Sequence, residues 1–202
     1  MPPTYRTVPQ GAKLPAWLSA CLASPPPRVL PLANDAASAV LVPVIHRPSG
    51  ASLLLVRKAA HLKRHAGQVG FPGGKVDDGD KSAQAAALRE AYEEVGLPPD
   101  LVQIVGQLDD ERTYVTDFHI RPVVGYIADP PRDFRIDFGE LTGVLEIGLQ
   151  ELVDERPASW VEFSLLGQVW RAPRYEFSGG RVVWGATARM LRNLQMRLRG
   201  AV

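Results

Sequence analysis

The stretch Gly73–Leu97, GGKVDDGDKSAQAAALREAYEEVGL, decides the fold. It opens on a glycine pair, runs through an alanine-rich segment and closes on Arg89-Glu90, Glu93-Glu94 and Gly96. At 100° per residue with Leu88 at zero, Ala85, Ala91, Tyr92 and Val95 fall within about 60° and form the expected core face of a helix. Glu90, Glu93 and Glu94 fall on the other side, within an arc of about 100°. Glu90 neighbours Glu93 at i,i+3 and Glu94 at i,i+4, and each such like-charge pair costs a few tenths of a kcal/mol. The helix dipole adds to that cost near the C-terminal end, where Gly96 is placed as a left-handed cap. A solvated acidic face, partly neutralised by Arg89, is the plain reading. Three glutamates at an adverse helix end, with a glycine turn just before the helix, point instead to a divalent cation. Clustered carboxylate oxygens suit Mg²⁺ or Mn²⁺, and an exposed glycine carbonyl adds another hard ligand.

Working outward, Ser38–Ile45 (SAVLVPVI) and Ala51–Arg57 (ASLLLVR) are apolar, β-branched runs separated by Arg47-Pro48-Ser49-Gly50. They read as a hairpin feeding a buried sheet, with Pro43 drawing the first strand toward an edge or bulge. Val69–Pro72 reads as a short strand delivering the Gly73-Gly74 turn. Beyond the central helix, Leu101–Leu108 and Phe118–Ile127 are further strands around a polar loop, Asp109–Asp117. Leu149–Val153 is a short helix, Trp160–Phe163 a strand or loop, and Arg174–Trp184 a second hairpin through Ser178-Gly179-Gly180. Ala186–Arg199 carries Met190, Leu191, Leu194 and Leu198 in one core-facing helical stripe. Strands mixed with two substantial helices, without strict alternation, predict an α+β fold built as an α/β/α sandwich on a mixed sheet.

A chain of 202 residues suits one domain with a terminal extension. Residues 1–35, broken by prolines, read as that extension, with Ala16–Ala23 helical and Trp17, Leu18 and Leu22 docking on a body of residues 36–202. The formal net charge is +1, so no global field recruits nucleic acid or an anionic membrane, and neither is an expected partner. Cys21 is the only cysteine, which excludes an internal disulfide and a cysteine zinc site. The first residues, MPPTYRTVPQ, lack the apolar core of a signal peptide, and no apolar run is long enough to span a bilayer, so a soluble cytoplasmic protein is expected. Arg57, Lys58, Lys63 and Arg64, with His61 and His65, form a dense basic segment beside the acidic helix. His61 and His65 are spaced for a metal on a helix, but no third ligand accompanies them. The glycine run is not a Walker loop, because Val69 stands where its first glycine belongs and Val76 follows the lysine.

The stretch from Gly74 resembles the Nudix box, a glycine and a glutamate followed by Arg-Glu-x-x-Glu-Glu-x-Gly and an apolar residue. Arg89, Glu90, Glu93, Glu94, Gly96 and Leu97 match the second half; the first half is one residue longer, and Lys81 holds the place of its glutamate. The resemblance implies a Nudix-fold hydrolase with Glu90 and Glu94 as direct ligands of Mg²⁺ or Mn²⁺. It implies Glu93 as a ligand or orienting group, the Gly74 carbonyl completing the site, and Arg89, Asp80 and Gly96 as structural members, Asp80 covering the displaced acid.

Residues 53–74, LLLVRKAAHLKRHAGQVGFPGG, are similar to the additional signature of coenzyme A pyrophosphatases within that family, through Leu54-Leu55, Arg57, Gly67 and Phe71–Gly74. Lys63, with Arg64 after it, occupies a basic position expected to be arginine. The segments 121–125 and 184–188 also look like that subfamily. The implied substrate is coenzyme A, cleaved at its diphosphate to 3′,5′-ADP and 4′-phosphopantetheine, with Arg57, Lys63, Arg64 and Gly73 on the substrate. Glu140, in DFGELTGVLEI, resembles a later acid that completes many such sites; with Glu93 and Glu94 it makes the catalytic set, whereas Glu146 reads as structural. The alternatives are a Nudix hydrolase of another nucleoside diphosphate derivative (ADP-ribose, a dinucleotide or an oxidised deoxynucleotide) and a non-catalytic nucleotide-sensing module.

Overall fold

The computed structural model describes residues 7–30, 37–62, 65–113, 119–155, 157, 159–165 and 168–200. In chain order the elements are α1 (Leu14–Ala23), β1 (Ala37–Ile45), β2 (Ser52–Lys58), β3 (Val69–Gly70), β4 (Gly73–Lys75), α2 (Ala83–Val95) and β5 (Gln103–Gln107). They continue with β6 (Glu111–Arg112), β7 (His119–Ile127), β8 (Leu141–Gly148), α3 (Leu149–Asp154), β9 (Ser159–Leu165), β10 (Gln168–Phe177), β11 (Arg181–Val183) and α4 (Gly185–Arg199).

β1 sets the plan because both of its faces are apolar. Ala39, Leu41 and Ile45 enter one buried cluster, while Val40, Val42 and Val44 enter another. Such a strand belongs at the centre of a sheet covered on both sides. β1 runs parallel to β7 along its whole length, from Ala37 opposite His119 to Ile45 opposite Ile127. The sheet order is β3-β2-β1-β7-β5, with β4 added on β1, β6 on β7 and β8 on β2, eight strands in all. α2 covers one face; α1, α3 and α4 cover the other. The result is the α+β sandwich with a mixed sheet that the element pattern predicts. No helix among the described residues is long and apolar enough to cross a membrane.

Three expectations change. Pro43 lies inside the central strand, not at an edge. On that side β1 pairs with β4 through residues 38–40 and with β2 through residues 44–45, so proline's missing N–H falls where the partner changes. Gly73-Gly74 is no turn but strand β4 itself, paired with Val40 and Ala39. β8, which the sequence reading treated only as a source of acids, is a full strand along β2, from Ser52 opposite Gly148 to Lys58 opposite Leu141. The β1–β2 turn at residues 47–50 is closed by reciprocal Arg47 and Gly50 backbone bonds of 3.2 and 2.9 Å.

α1 buries Leu14, Leu18 and Leu22, and Trp17 packs partly buried beside them. Each buried leucine contributes about 1.5–3 kcal/mol before conformational entropy is counted. The buried Arg197 guanidinium of α4 pins the chain after α1, donating to the carbonyls of Leu22 (3.1 Å) and Pro25 (2.6 Å) and to Asp109 (2.6 Å). β9, β10 and β11 form a separate three-stranded sheet. The α4 stripe of Met190, Leu191, Leu194 and Leu198 is buried as the spacing predicts.

Candidate active site

α2 begins where the Ser82 hydroxyl accepts the Ala85 N–H at 3.1 Å and ends at Gly96, whose φ of 67° is the left-handed cap. Its buried face is not centred on Leu88. Ala86, Ala87, Ala91, Glu94 and Val95 are buried, a rotation of roughly 95° toward Glu94. Tyr92 is 48% exposed, with the Arg135 guanidinium 5.6 Å from its ring centre, and Glu94 is only 3% exposed. The helix is able to lie this way because its neighbour β4 offers Gly73 and Gly74 instead of side chains. A Cβ on Gly74 would overlap the Glu90 carboxylate, and one on Gly73 would overlap the Ala39 carbonyl. Gly74 thus leaves the space that the Glu90 carboxylate occupies, Gly73 lets β4 lie close against β1 and gives its N–H to Glu94, and the expectation that Glu94 faces away from the core is corrected.

Buried carboxylates need partners. One Glu94 oxygen accepts from the Lys58 ammonium, and the other accepts the Gly73 N–H at 3.2 Å. Glu90 accepts from Arg89 at 3.0 Å. Burial pushes both carboxyls above the ordinary glutamate range, against the pull of Lys58 on Glu94 and of Arg89 on Glu90. Burial also works to lower the Lys58 ammonium, but the charges and hydrogen bonds of Glu94 and Glu140 outweigh it and hold it above its usual value. Glu93 is 56% exposed and turns to Arg89 at 3.0 Å. Arg89 is a hub: it grips the buried Asp80 carboxylate with two bonds of 3.1 and 2.9 Å and donates to the Lys75 carbonyl at 3.1 Å. Those bonds hold the Asp80 carboxyl below its ordinary range.

The loop before β8 closes the site from the other side. Asp137 N–H donates to the Glu94 carbonyl at 3.0 Å, and the Ala59 N–H donates to the Glu140 carbonyl at 2.8 Å. The His61 imidazole donates from Nε2 to the Gly139 carbonyl at 3.1 Å. The exposed Glu140 carboxylate stands 3.5 Å from Lys58, so Glu94, Lys58 and Glu140 form a continuous charged row.

Of the expected substrate contacts, Lys63 and Arg64 lie outside the described residues. Arg57 is exposed, and by strand alternation it leaves β2 on the face opposite Leu54, Val56 and Lys58. Gly73 directs its N–H to Glu94. The cation that meets the glutamates is Lys58, which the sequence reading placed in the basic segment without a role. Counting by two from Leu54 and Val56 would have found it. Glu146 forms a two-pronged pair with Arg47, with bonds of 3.1 and 2.6 Å.

Among the described residues no three His, Cys, Asp or Glu side chains converge to chelate an ion as they stand. Glu90 and Glu94, one helical turn apart, nevertheless fit a hard divalent cation in donor type. Lys58 and Arg89 provide the positive charge these carboxylates have here. Glu90 and Glu94 would hold a metal once those contacts are exchanged.

The sandwich, the glycine strand and the helix with its buried Glu94 beside Glu90 define a class. A NUDIX domain model matches residues 35–178, and the chain belongs to the Nudix hydrolase family. Its relatives include the uncharacterized Nudix hydrolase NudL of Escherichia coli K12, 39% identical over 168 residues that cover 82% of this chain and 84% of that protein. NudL of Salmonella paratyphi B is 41% identical over the same shares. Among solved structures, a MutT NUDIX hydrolase from Burkholderia pseudomallei superposes with a TM-score of 0.47 at 18% identity, covering 78% of this chain and 96% of that one.

Proposed function

We propose that this Nudix hydrolase cleaves the diphosphate of coenzyme A or its derivatives to 3′,5′-ADP and 4′-phosphopantetheine. The observation that carries this reading is the buried Glu94, one turn from Glu90, joined through Lys58 to Glu140. The likeness of residues 53–74 to the coenzyme A pyrophosphatase signature supports the choice of substrate.

Glu90 and Glu94 are the groups to hold Mg²⁺ or Mn²⁺, with Glu93 joining them if Arg89 releases it, whereas the Gly74 carbonyl is turned to Ala39 of β1 in the ladder. A bound cation neutralises the diphosphate and lowers the pKa of water. Lys58, freed from Glu94, directs its ammonium at a phosphate oxygen. Glu140, on a loop tied down at Gly139 and at its own carbonyl, accepts the proton of the attacking water; Glu93 is the other acid exposed enough to do so. The water oxygen bonds to one phosphorus while the bridging P–O bond opposite it breaks, leaving two phosphomonoesters. Arg89, Asp80 and Gly96 hold the helix and its acids in place.

Hydrolysis of coenzyme A, dephospho-coenzyme A, ADP-ribose, NADH and 8-oxo-dGTP with Mg²⁺, with products identified by mass, tests the substrate. Preferential release of 3′,5′-ADP from coenzyme A is expected. Brisk cleavage of another member with coenzyme A left intact would move the protein to that substrate.

A further inference from the structure

A second charged cavity lies on the opposite face of the sheet, away from the glutamates. It measures about 250 Å³ and lies between α4, β9, β10 and the segment after α1. Arg28, Arg171, Arg189 and Arg192 reach it, together with Trp160 and Asn193. Two carboxylates, Asp109 and Glu111, also line it, and both are engaged. Asp109 accepts from Arg197 at 2.6 Å and from the Arg28 N–H at 3.0 Å, while Glu111 pairs with Arg189 at 2.8 Å. Arg171 pairs with Glu162 at 3.0 Å. Arg28 and Arg192 have no carboxylate within ion-pair distance among the described residues, although Arg28 contributes to the field at Glu111. The cavity is therefore net positive.

Arg192 is held in place rather than left free. Its guanidinium carbon lies 5.0 Å from the ring centre of Trp160. A guanidinium held against an aromatic ring keeps N–H groups to offer an anion, the chemistry by which arginine recognises phosphate. Trp160 is 44% exposed despite this contact, so aromatic surface borders the charged pocket. Asn193 uses its side-chain carbonyl on Asp109 N–H (3.2 Å) and Arg197 (3.1 Å), which leaves its amide hydrogens as donors.

We propose that this cavity is a binding site for a phosphate group, held by Arg28 and Arg192 and separate from the hydrolytic site. The test is a titration of the full chain in EDTA with inorganic phosphate and then with adenosine monophosphate. The readouts are the Trp160 indole and Asn193 amide signals in ¹⁵N NMR spectra. Saturable shifts at these signals are expected, and Arg192→Ala should weaken the affinity about tenfold or more while diphosphate hydrolysis is unchanged. Arg28→Ala changes an exposed side chain and should also weaken binding, so the test stands even if Arg192→Ala fails to fold. Tighter binding of the nucleotide than of phosphate assigns the occupant to a nucleotide phosphate, and equal binding assigns it to phosphate alone. Absence of saturable shifts, or shifts indifferent to both substitutions, would overturn the proposal.

Discussion

Replacing Lys58 by methionine isolates the electrostatics of the site. The Lys58 side chain is 21% exposed and that of Glu94 4%, so the substitution strands a carboxylate with little water around it. Removing one partner of a buried pair costs about 3–5 kcal/mol. Two things reduce that here: the Gly73 N–H still serves one Glu94 oxygen, and a carboxyl already pushed up by burial can take a proton instead. The expected loss in EDTA is therefore about 2–3 kcal/mol, or roughly 4–12 °C in Tm for a chain of this size. A divalent cation held by Glu90 and Glu94, as proposed, would replace the missing charge, and at a hundred times its Kd a ligand stabilises by about 2.7 kcal/mol. Thermal unfolding of both proteins, in EDTA and in saturating MgCl₂, reads the result. The deficit of Lys58→Met should be large in EDTA and much smaller with Mg²⁺. An equal deficit in both, or none in EDTA, would refute the claim that Lys58 holds the charge a metal takes over.

Three further outcomes follow from the same geometry. Asp80→Asn breaks the two-pronged contact with Arg89 and should cost about 1–3 kcal/mol by urea unfolding at pH 7. Because that carboxyl sits below its ordinary range, its contribution is present above the unfolded aspartate pKa and is lost as pH falls through the folded value, so the two proteins should converge in acid. Equal stability at pH 7 would remove Asp80 from the scaffold. Gly74→Ala drives a methyl into the Glu90 carboxylate and should lower kcat/KM about 10²-fold, the scale of a 1 Å misplacement, in steady-state assays; unchanged kinetics would show that Glu90 has freedom to move. Burial raises Glu90 and Glu94 above the ordinary value of 4.5, and their protonated forms cannot bind a cation, so calorimetric Mg²⁺ affinity should already be falling above pH 4.5. Affinity that holds constant down to that pH would contradict the buried placement.

Most of the sandwich could be read from local pattern. The helix at 83–95, its Gly96 cap, the α4 stripe and the hairpins depend on spacing and turn chemistry that the chain shows within a few residues. What escaped reading depends on distant partners. The parallel match of β1 with β7 joins residues far apart in sequence, and only that match shows how Pro43 sits inside a central strand. The roll of α2 toward Glu94 could not be read because a helical wheel centred on Leu88 ignores the facing surface. Gly74 of β4 there admits the Glu90 carboxylate where a larger residue would exclude it. Lys58 was hidden among neighbouring cations until strand alternation separated it from Arg57. Asp80 stood out only as the nearest acid to a displaced position, and its two bonds to Arg89 depend on the turn at residues 77–80, closed by the Asp80 N–H on the Asp77 carbonyl at 2.9 Å.

The most direct test of the central claim is ³¹P NMR of coenzyme A with Mg²⁺, comparing the wild-type protein with Glu90→Gln. The account predicts that the diphosphate signals give way to phosphomonoester signals with the wild type. With Glu90→Gln, whose folding is checked by its unfolding profile, conversion should slow at least about a hundredfold. Conversion at the same rate in both proteins would contradict the claim that the carboxylates beside Gly74 are the hydrolytic centre.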